Sequence, residues 1–134
     1  MSFTLSDFLR ESNRIEGIYR APTVEEIAAT TQFLALPRLT ISDVVQLVRV
    51  YQPDACPRFT QGLDVRVGRY VAPRGGPHVQ KALDTLLEVV STRDMQSPYR
   101  SHIEYEMLHP FTDGNGRSGR AVWLWAMGGM EGAP

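Results

Sequence analysis

Twelve consecutive residues, from His109 through Pro110, Phe111, Thr112, Asp113, Gly114, Asn115, Gly116, Arg117, Ser118 and Gly119 to Arg120, hold the densest run of chemistry-bearing groups in the chain. His109 is the one group among them that exchanges a proton near neutral pH. Asp113 offers hard carboxylate oxygen, which Mg²⁺ takes together with substrate phosphates. Asp113-Gly114-Asn115-Gly116 interrupts any helix, because glycine and asparagine favour turns with φ > 0. A new helix then reads from Ser118 and carries Val122, Trp123, Leu124, Trp125 and Met127. The loop therefore stands at a helix N-terminus, where free N–H groups and the dipole attract an anion. Arg117 and Arg120 are three apart, so they share a helix face and reach the same anion. Asp113-Gly114 or Asn115-Gly116 alone would read as a β-turn. The whole string reads as a nucleoside triphosphate site with a general base beside it.

The string matches H-P-F-x-D-G-N-G-R-x-x-R at every fixed position and so resembles the signature of Fic proteins. Near the N-terminus, Ser12-Asn13-Arg14-Ile15-Glu16-Gly17 resembles the inhibitory-helix motif of the same family, [S/T]-x-x-x-E-[G/N]. Ser12 and Glu16, four apart, point the same way from a helix. The resemblance implies a protein adenylyltransferase that moves AMP from ATP, with Mg²⁺, to a Ser, Thr or Tyr hydroxyl of a target protein. It implies His109 as base and Asp113 as metal ligand. It also implies Gly114, Asn115, Gly116, Arg117 and Arg120 on the nucleotide, and Ser12 and Glu16 as inhibitory residues facing Arg120. In the related Doc toxins a lysine stands at the position of Gly116 and the reaction is phosphorylation, so glycine here favours adenylyl transfer. Removal of AMP from a modified protein at the same site, or a catalytically silent nucleotide-binding module, are the alternatives.

Composition is compatible with that reading. The 134 residues suit one domain, 43% hydrophobic and 22% charged, with net charge −1. A near-neutral balance argues against broad binding to nucleic acid or to an anionic membrane. Cys56 is the single cysteine, so an intramolecular disulfide is impossible and structural zinc is not expected. No leader or spanning segment reads from the sequence, which makes the cytoplasm the expected location. A homo-oligomer stays open.

The elements that must position these groups read as mainly α, and the resemblance implies a Fic-like helical bundle with a small β-hairpin flap. A single domain over 1–134 divides into an inhibitory helix segment (1–20), a hairpin flap (62–74) and a catalytic helix-loop-helix (98–128). The first helix runs from Met1 to Gly17, capped by Thr4 or Ser6, with Leu5, Phe8, Ser12 and Ile15 at helical spacing. Thr23 and Glu26 form a capping box ahead of a stripe of Val24, Ile27, Ala28, Thr31 and Ala35. Thr40 starts a third helix with Ile41, Val44, Val45 and Val48 inward. Both of these helices read as packing without chemistry. Residues 53–78 are punctuated by proline and glycine, so they exclude helix. Within them Leu63–Val67 alternates, Gly68-Arg69 turns and Tyr70-Val71-Ala72 returns. The resemblance makes Val67, Gly68, Arg69 and Tyr70 a flap that docks a target segment by strand addition. Val79, Ala82, Leu83, Leu86, Leu87 and Val90 mark a core helix. Ser97-Pro98 caps the next one, with Tyr99, Ile103 and Met107 on its inner face and His102 read as a satisfied, half-buried histidine. From Gly128 the chain reads as a frayed tail.

Overall fold

The computed structural model describes residues 2–131. Within them the chain is mainly α: α1 (Leu5–Ile15), α2 (Val24–Leu34), α3 (Ile41–Tyr51), a hairpin of β1 (Arg66–Val67) and β2 (Tyr70–Val71), then α4 (Pro77–Ser91), α5 (Pro98–Leu108) and α6 (Asn115–Ala126). A 3₁₀ turn follows at Gly129–Glu131. The expected frayed tail is thus ordered as far as that turn, and residues 132–134 lie outside the described residues. So does Met1, and the first helix begins at Leu5. No helix among the described residues is long and apolar enough to cross a membrane.

Capping fixes the starts. Thr4, Thr23 and Thr40 each accept from the backbone three residues on and are answered by Asp7, Glu26 and Asp43, giving three reciprocal boxes. Each such cap stabilises its helix by about 1 kcal/mol. Ser97 caps α5 ahead of Pro98. Pro77 opens α4, so His78 lies in the first turn of that helix and not in the loop where the proline-glycine run placed it. Proline at N1 loses nothing, since that N–H has no helical acceptor.

α6 is the centre. Ala121, Val122, Leu124 and Trp125 are buried on it, and it packs against α1, α2, α3 and α5. Leu83, Leu87 and Val90 of α4, Val44, Leu47 and Val48 of α3, and Phe33 of α2 complete the core.

Two expected faces are turned, and a third only at its end. On α1 Ser12 is buried and Leu5 and Phe8 pack against the core as expected, with Leu9 and Asn13 buried beside them, while Ile15 is 66% exposed. On α2 it is Glu26, Thr30 and Phe33, and Val24, Ala28, Thr31 and Ala35 are exposed. Glu26, Thr30 and Phe33 stand at i, i+4 and i+7, so the period is right and the phase is off by a side-chain step. The fold buries a glutamate and a threonine on this helix in place of the apolar stripe. On α5 Tyr99, Ile103 and Met107 face outward beneath the hairpin, and Ser101 and Tyr105 face in. Ala82 of α4 is likewise exposed.

The hairpin is shorter than its alternation implied. Only Arg66↔Val71 and Val67↔Tyr70 pair, extended by the Ala72 N–H donating to Val65 O at 3.3 Å. Gly68 has φ 59, as a turn with glycine first requires. So small a hairpin is unstable alone, and it leans on α5 through the Tyr70 hydroxyl, which donates to Met107 O at 2.6 Å.

Candidate active site

α5 ends at His109, whose φ of 49 is left-handed. A non-glycine residue held there costs about 1–3 kcal/mol, so other contacts must hold it. Arg58 does most of this. It is fully buried, and its Nε donates to His109 O at 2.6 Å, Nη2 to Leu108 O at 2.8 Å, and Nη1 to Leu63 O and Pro73 O at 3.0 and 2.7 Å. One guanidinium thus ties the end of α5 to both roots of the hairpin. Burial lowers its pKa, yet arginine remains charged, and a cation suits the negative end of a helix. The His109 ring is fixed separately. Nδ1 lies 2.7 Å from Glu106 O. A carbonyl only accepts, so Nδ1 carries a proton, and in the neutral ring the lone pair is on Nε2.

The loop after His109 is set by Asn115. Its Oδ1 accepts from the Phe111 N–H at 2.9 Å and its Nδ2 donates to Phe111 O at 2.8 Å, while the Phe111 ring is fully buried. Both ends of the Asn115 amide therefore hold the Phe111 backbone and shape the loop. Gly114 takes φ 79 as the N-cap of α6, a conformation glycine adopts without strain. The helix begins at Asn115, three residues earlier than the glycine-rich run implied, because only Gly114 needs the left-handed conformation. The first helical bond is Ser118 N–H to Gly114 O at 3.0 Å. The N–H groups of Asn115, Gly116 and Arg117 are thus left without helical acceptors.

These parts face one cavity of about 650 Å³, lined among others by His109, Asp113, Gly114, Gly116, Arg117 and Arg120. Of the sequence-derived residues, Glu16 and Val67 border it too, whereas Gly68, Arg69 and Tyr70 do not. The two arginines differ. Arg117 is 4% exposed. Its Nη2 donates to Gln52 Oε1 at 2.8 Å, and its guanidinium stands 5.6 Å from the Tyr51 ring centre. Its Nε and Nη1 are buried and find no hydrogen-bond partner among the described residues. Glu26 Oε2 is 3.8 Å from Nη1, close enough for attraction and too far for a hydrogen bond. Burial lowers the Arg117 pKa, offset by Glu26, Asp113, Glu16 and Tyr51. Arg120 is engaged through two of its three nitrogens. Nε donates to Ser12 Oγ at 2.8 Å, and Nη2 to Ser12 O at 3.0 Å and Glu16 Oε2 at 2.6 Å. The Glu16 carboxylate also presses on Gly116, where a Cβ would overlap it.

Unpaired buried donors, free helix N–H groups and an imidazole with an open nitrogen fit a polyphosphate. Asp113 is exposed at the rim, with Oδ1 accepting from the Gly114 N–H at 2.7 Å. No group of three or more His, Cys, Asp or Glu gathers among the described residues. One carboxylate fits a Mg²⁺ ion that arrives with phosphates, not one caged by protein. His102 is half-buried, with Nδ1 3.3 Å from Gly119 O.

Sequence reasoning missed Arg58, Gln52 and Glu106, and saw Glu26 only as a cap. Glu106 borders the cavity. Burial raises its pKa and Glu16 adds to that, against His109 and Arg120, which lower it. It also lines a second groove with Val67, Tyr70, Tyr99, Ile103 and Met107 that shares His109 with the first. For Arg58 and Gln52 no local signal exists, since each is a lone polar residue beside a proline.

The profile of the Fic/DOC family matches residues 8–127, and the chain belongs to that family. No curated protein matches it.

Proposed function

We propose that this protein transfers AMP from ATP to a Ser, Thr or Tyr hydroxyl of a target protein, and that Glu16 restrains it. The observation that carries the reading is the meeting of two unspent sets of groups in one cavity. The His109 Nε2 lone pair is one, and the partnerless Nε and Nη1 of Arg117 beside three free helix N–H groups is the other. Family membership supports a transferase, and Gly116 in place of a lysine favours adenylyl over phosphoryl transfer.

The target oxygen attacks the α-phosphorus while Nε2 takes its proton. The new O–P bond forms as the bond from the α-phosphorus to the bridging oxygen breaks, and pyrophosphate leaves with that electron pair. General-base help of this kind is worth roughly 10²–10⁴-fold. Arg117 and the N–H groups of Asn115 and Gly116 hold the phosphates without reorganisation, because Gln52 and Asn115 have already fixed them. Asp113 would hold Mg²⁺, which neutralises charge on the phosphates. The target approaches over the hairpin (Val67, Gly68, Arg69 and Tyr70) and the outward face of α5, the side on which His109 is shared between cavity and groove.

Glu16 and Ser12 occupy the arginine meant for the outermost phosphate. Competition of this kind couples by about 1–3 kcal/mol, or roughly 5–150-fold. Glu16→Gly is therefore expected to raise labelling of target or self by radiolabelled ATP by a factor in that range. Adding His109→Ala should abolish the label while calorimetric ATP binding persists. Equal labelling by the parent and Glu16→Gly would remove Glu16 from the mechanism. ATP binding without transfer by Glu16→Gly across many lysate proteins would favour a silent nucleotide-binding module.

A further inference from the structure

Arg117 has a buried carboxylate beside it and yet keeps two donors unspent. Glu26, 2% exposed, is held from the other side. Arg20 Nη1 donates to its Oε1 at 2.8 Å and Nη2 to its Oε2 at 3.3 Å. The Thr23 N–H also donates to Oε1, at 2.7 Å. Burial works to raise the Glu26 pKa, but the Arg20 and Thr23 hydrogen bonds outweigh it and hold the group below the ordinary value, ionised. A buried carboxylate requires a cation, and two are in reach. Arg20 makes the hydrogen-bonded pair, while Arg117 Nη1 stands off at 3.8 Å. Closing that gap by about 1 Å would give a full hydrogen-bonded pair and remove one of the donors that the phosphate needs.

We propose that Arg20 is a positioning residue for the nucleotide site. By satisfying Glu26 it keeps that carboxylate off Arg117, and so leaves the Arg117 guanidinium free for an anion. Arg20 lies four residues beyond Glu16, on the segment that leaves α1. The stretch that ends the inhibitory helix therefore also keeps the site competent. Relief of inhibition is then a local release of the Glu16 carboxylate, with residues 18–20 staying in place. Displacing the whole segment would free Arg120 and at once let Glu26 capture Arg117.

This proposal rests on the nucleotide-binding reading above, and neutralising the two charges singly and together tests it. ATP affinity is measured by calorimetry on the full chain in the Glu16→Gly background, for Arg20→Gln, Glu26→Gln and the pair together. Arg20→Gln is expected to weaken ATP roughly tenfold. Glu26→Gln alone is expected to stay near the background, since glutamine at that position still completes the capping box. The double variant should recover most of the loss. A residue that merely braced the α2 cap would show no such rescue, because Glu26→Gln keeps the cap and would leave whatever bracing Arg20→Gln had removed still missing. A double variant as weak as Arg20→Gln, or an Arg20→Gln variant that binds like the background, overturns the proposal while leaving the nucleotide reading intact. Failure of the Glu16→Gly background itself to bind ATP would sink that reading, and this proposal with it.

Discussion

Arg117 and Arg120 sit one turn apart on α6 and come from the same motif, yet they stand in opposite states. Arg120 spends Nε and Nη2 on Ser12 and Glu16 at the cavity mouth. Arg117 is buried behind it, packed by Tyr51 and Gln52, with Nε and Nη1 unspent. An unspent buried donor costs about 1–3 kcal/mol. A chain tolerates that where a ligand recovers it, and where the neighbouring carboxylate is held elsewhere, as Glu26 is by Arg20. The difference separates two jobs that one sequence spacing had made equivalent. Under the proposed function, Arg117 belongs to a fixed anion cradle, and Arg120 to a contact that must exchange partners.

If the comparison holds, the largest loss comes from the cradle. Arg117→Ala in the Glu16→Gly background should cost roughly 10²–10³-fold in transfer rate, as removal of a preorganised donor does. Arg120→Ala in the same background should cost clearly less, because its screened position weakens each contact. Steady-state kinetics on the two variants, side by side, decides it, and equal losses would break the distinction. A smaller effect belongs to Ser12. Ser12→Ala removes one hydrogen bond of three from Arg120 and should tighten ATP by about fivefold, near 1 kcal/mol, less than Glu16→Gly. An effect equal to that of Glu16→Gly would mean that the serine and not the carboxylate is the main competitor.

Much of this arrangement was legible from residue types alone. The string from His109 to Arg120 carries its own loop, helix N-terminus and base, and Ser12 with Glu16 were placed on one face that the structure brings to Arg120. What stayed hidden was the frame. α2 was read with its apolar side inward, but the fold buries Glu26 and Thr30. Glu26 meets Arg20 and Arg117 there, and Thr30 bonds the Tyr51 hydroxyl. Hydrophobic periodicity finds the phase of a helix only when its buried side is apolar, and here that side carries a glutamate and a threonine. The outward turn of Tyr99, Ile103 and Met107 has the same origin in reverse, an apolar stripe kept at the surface next to His109. Arg58 spans from Pro73 to His109 through carbonyl groups alone, and carbonyls carry no sequence identity, so no pattern of residues could announce it.

The smallest effect separates the arginines by the carboxylates beside them, and it is read as stability. Glu26, by Arg117, has its pKa lowered in the folded state by Arg20 and Thr23 against the burial that raises it. A lowered folded pKa contributes stability that is complete above the unfolded value of about 4.3 and is lost as pH falls through the folded value. Glu26→Gln should therefore lower stability at pH 7 by about 1 kcal/mol, given that Arg20 is half-exposed, and this deficit should shrink on acidification. Glu106, by Arg120 and His109, has the reverse sign. Burial raises its folded pKa above the ordinary value, so it binds protons more readily folded than unfolded. Stability then falls as pH rises from the unfolded value of about 4.3 to the raised one, and remains lower above it. Glu106→Gln should be more stable than the parent at pH 7, with the gain vanishing below about pH 4. Thermal unfolding of both variants between pH 3 and 8 reads the two slopes together. Parallel slopes would mean that the surroundings of the two arginines are electrostatically alike, and that burial and not charge sets Arg117 apart.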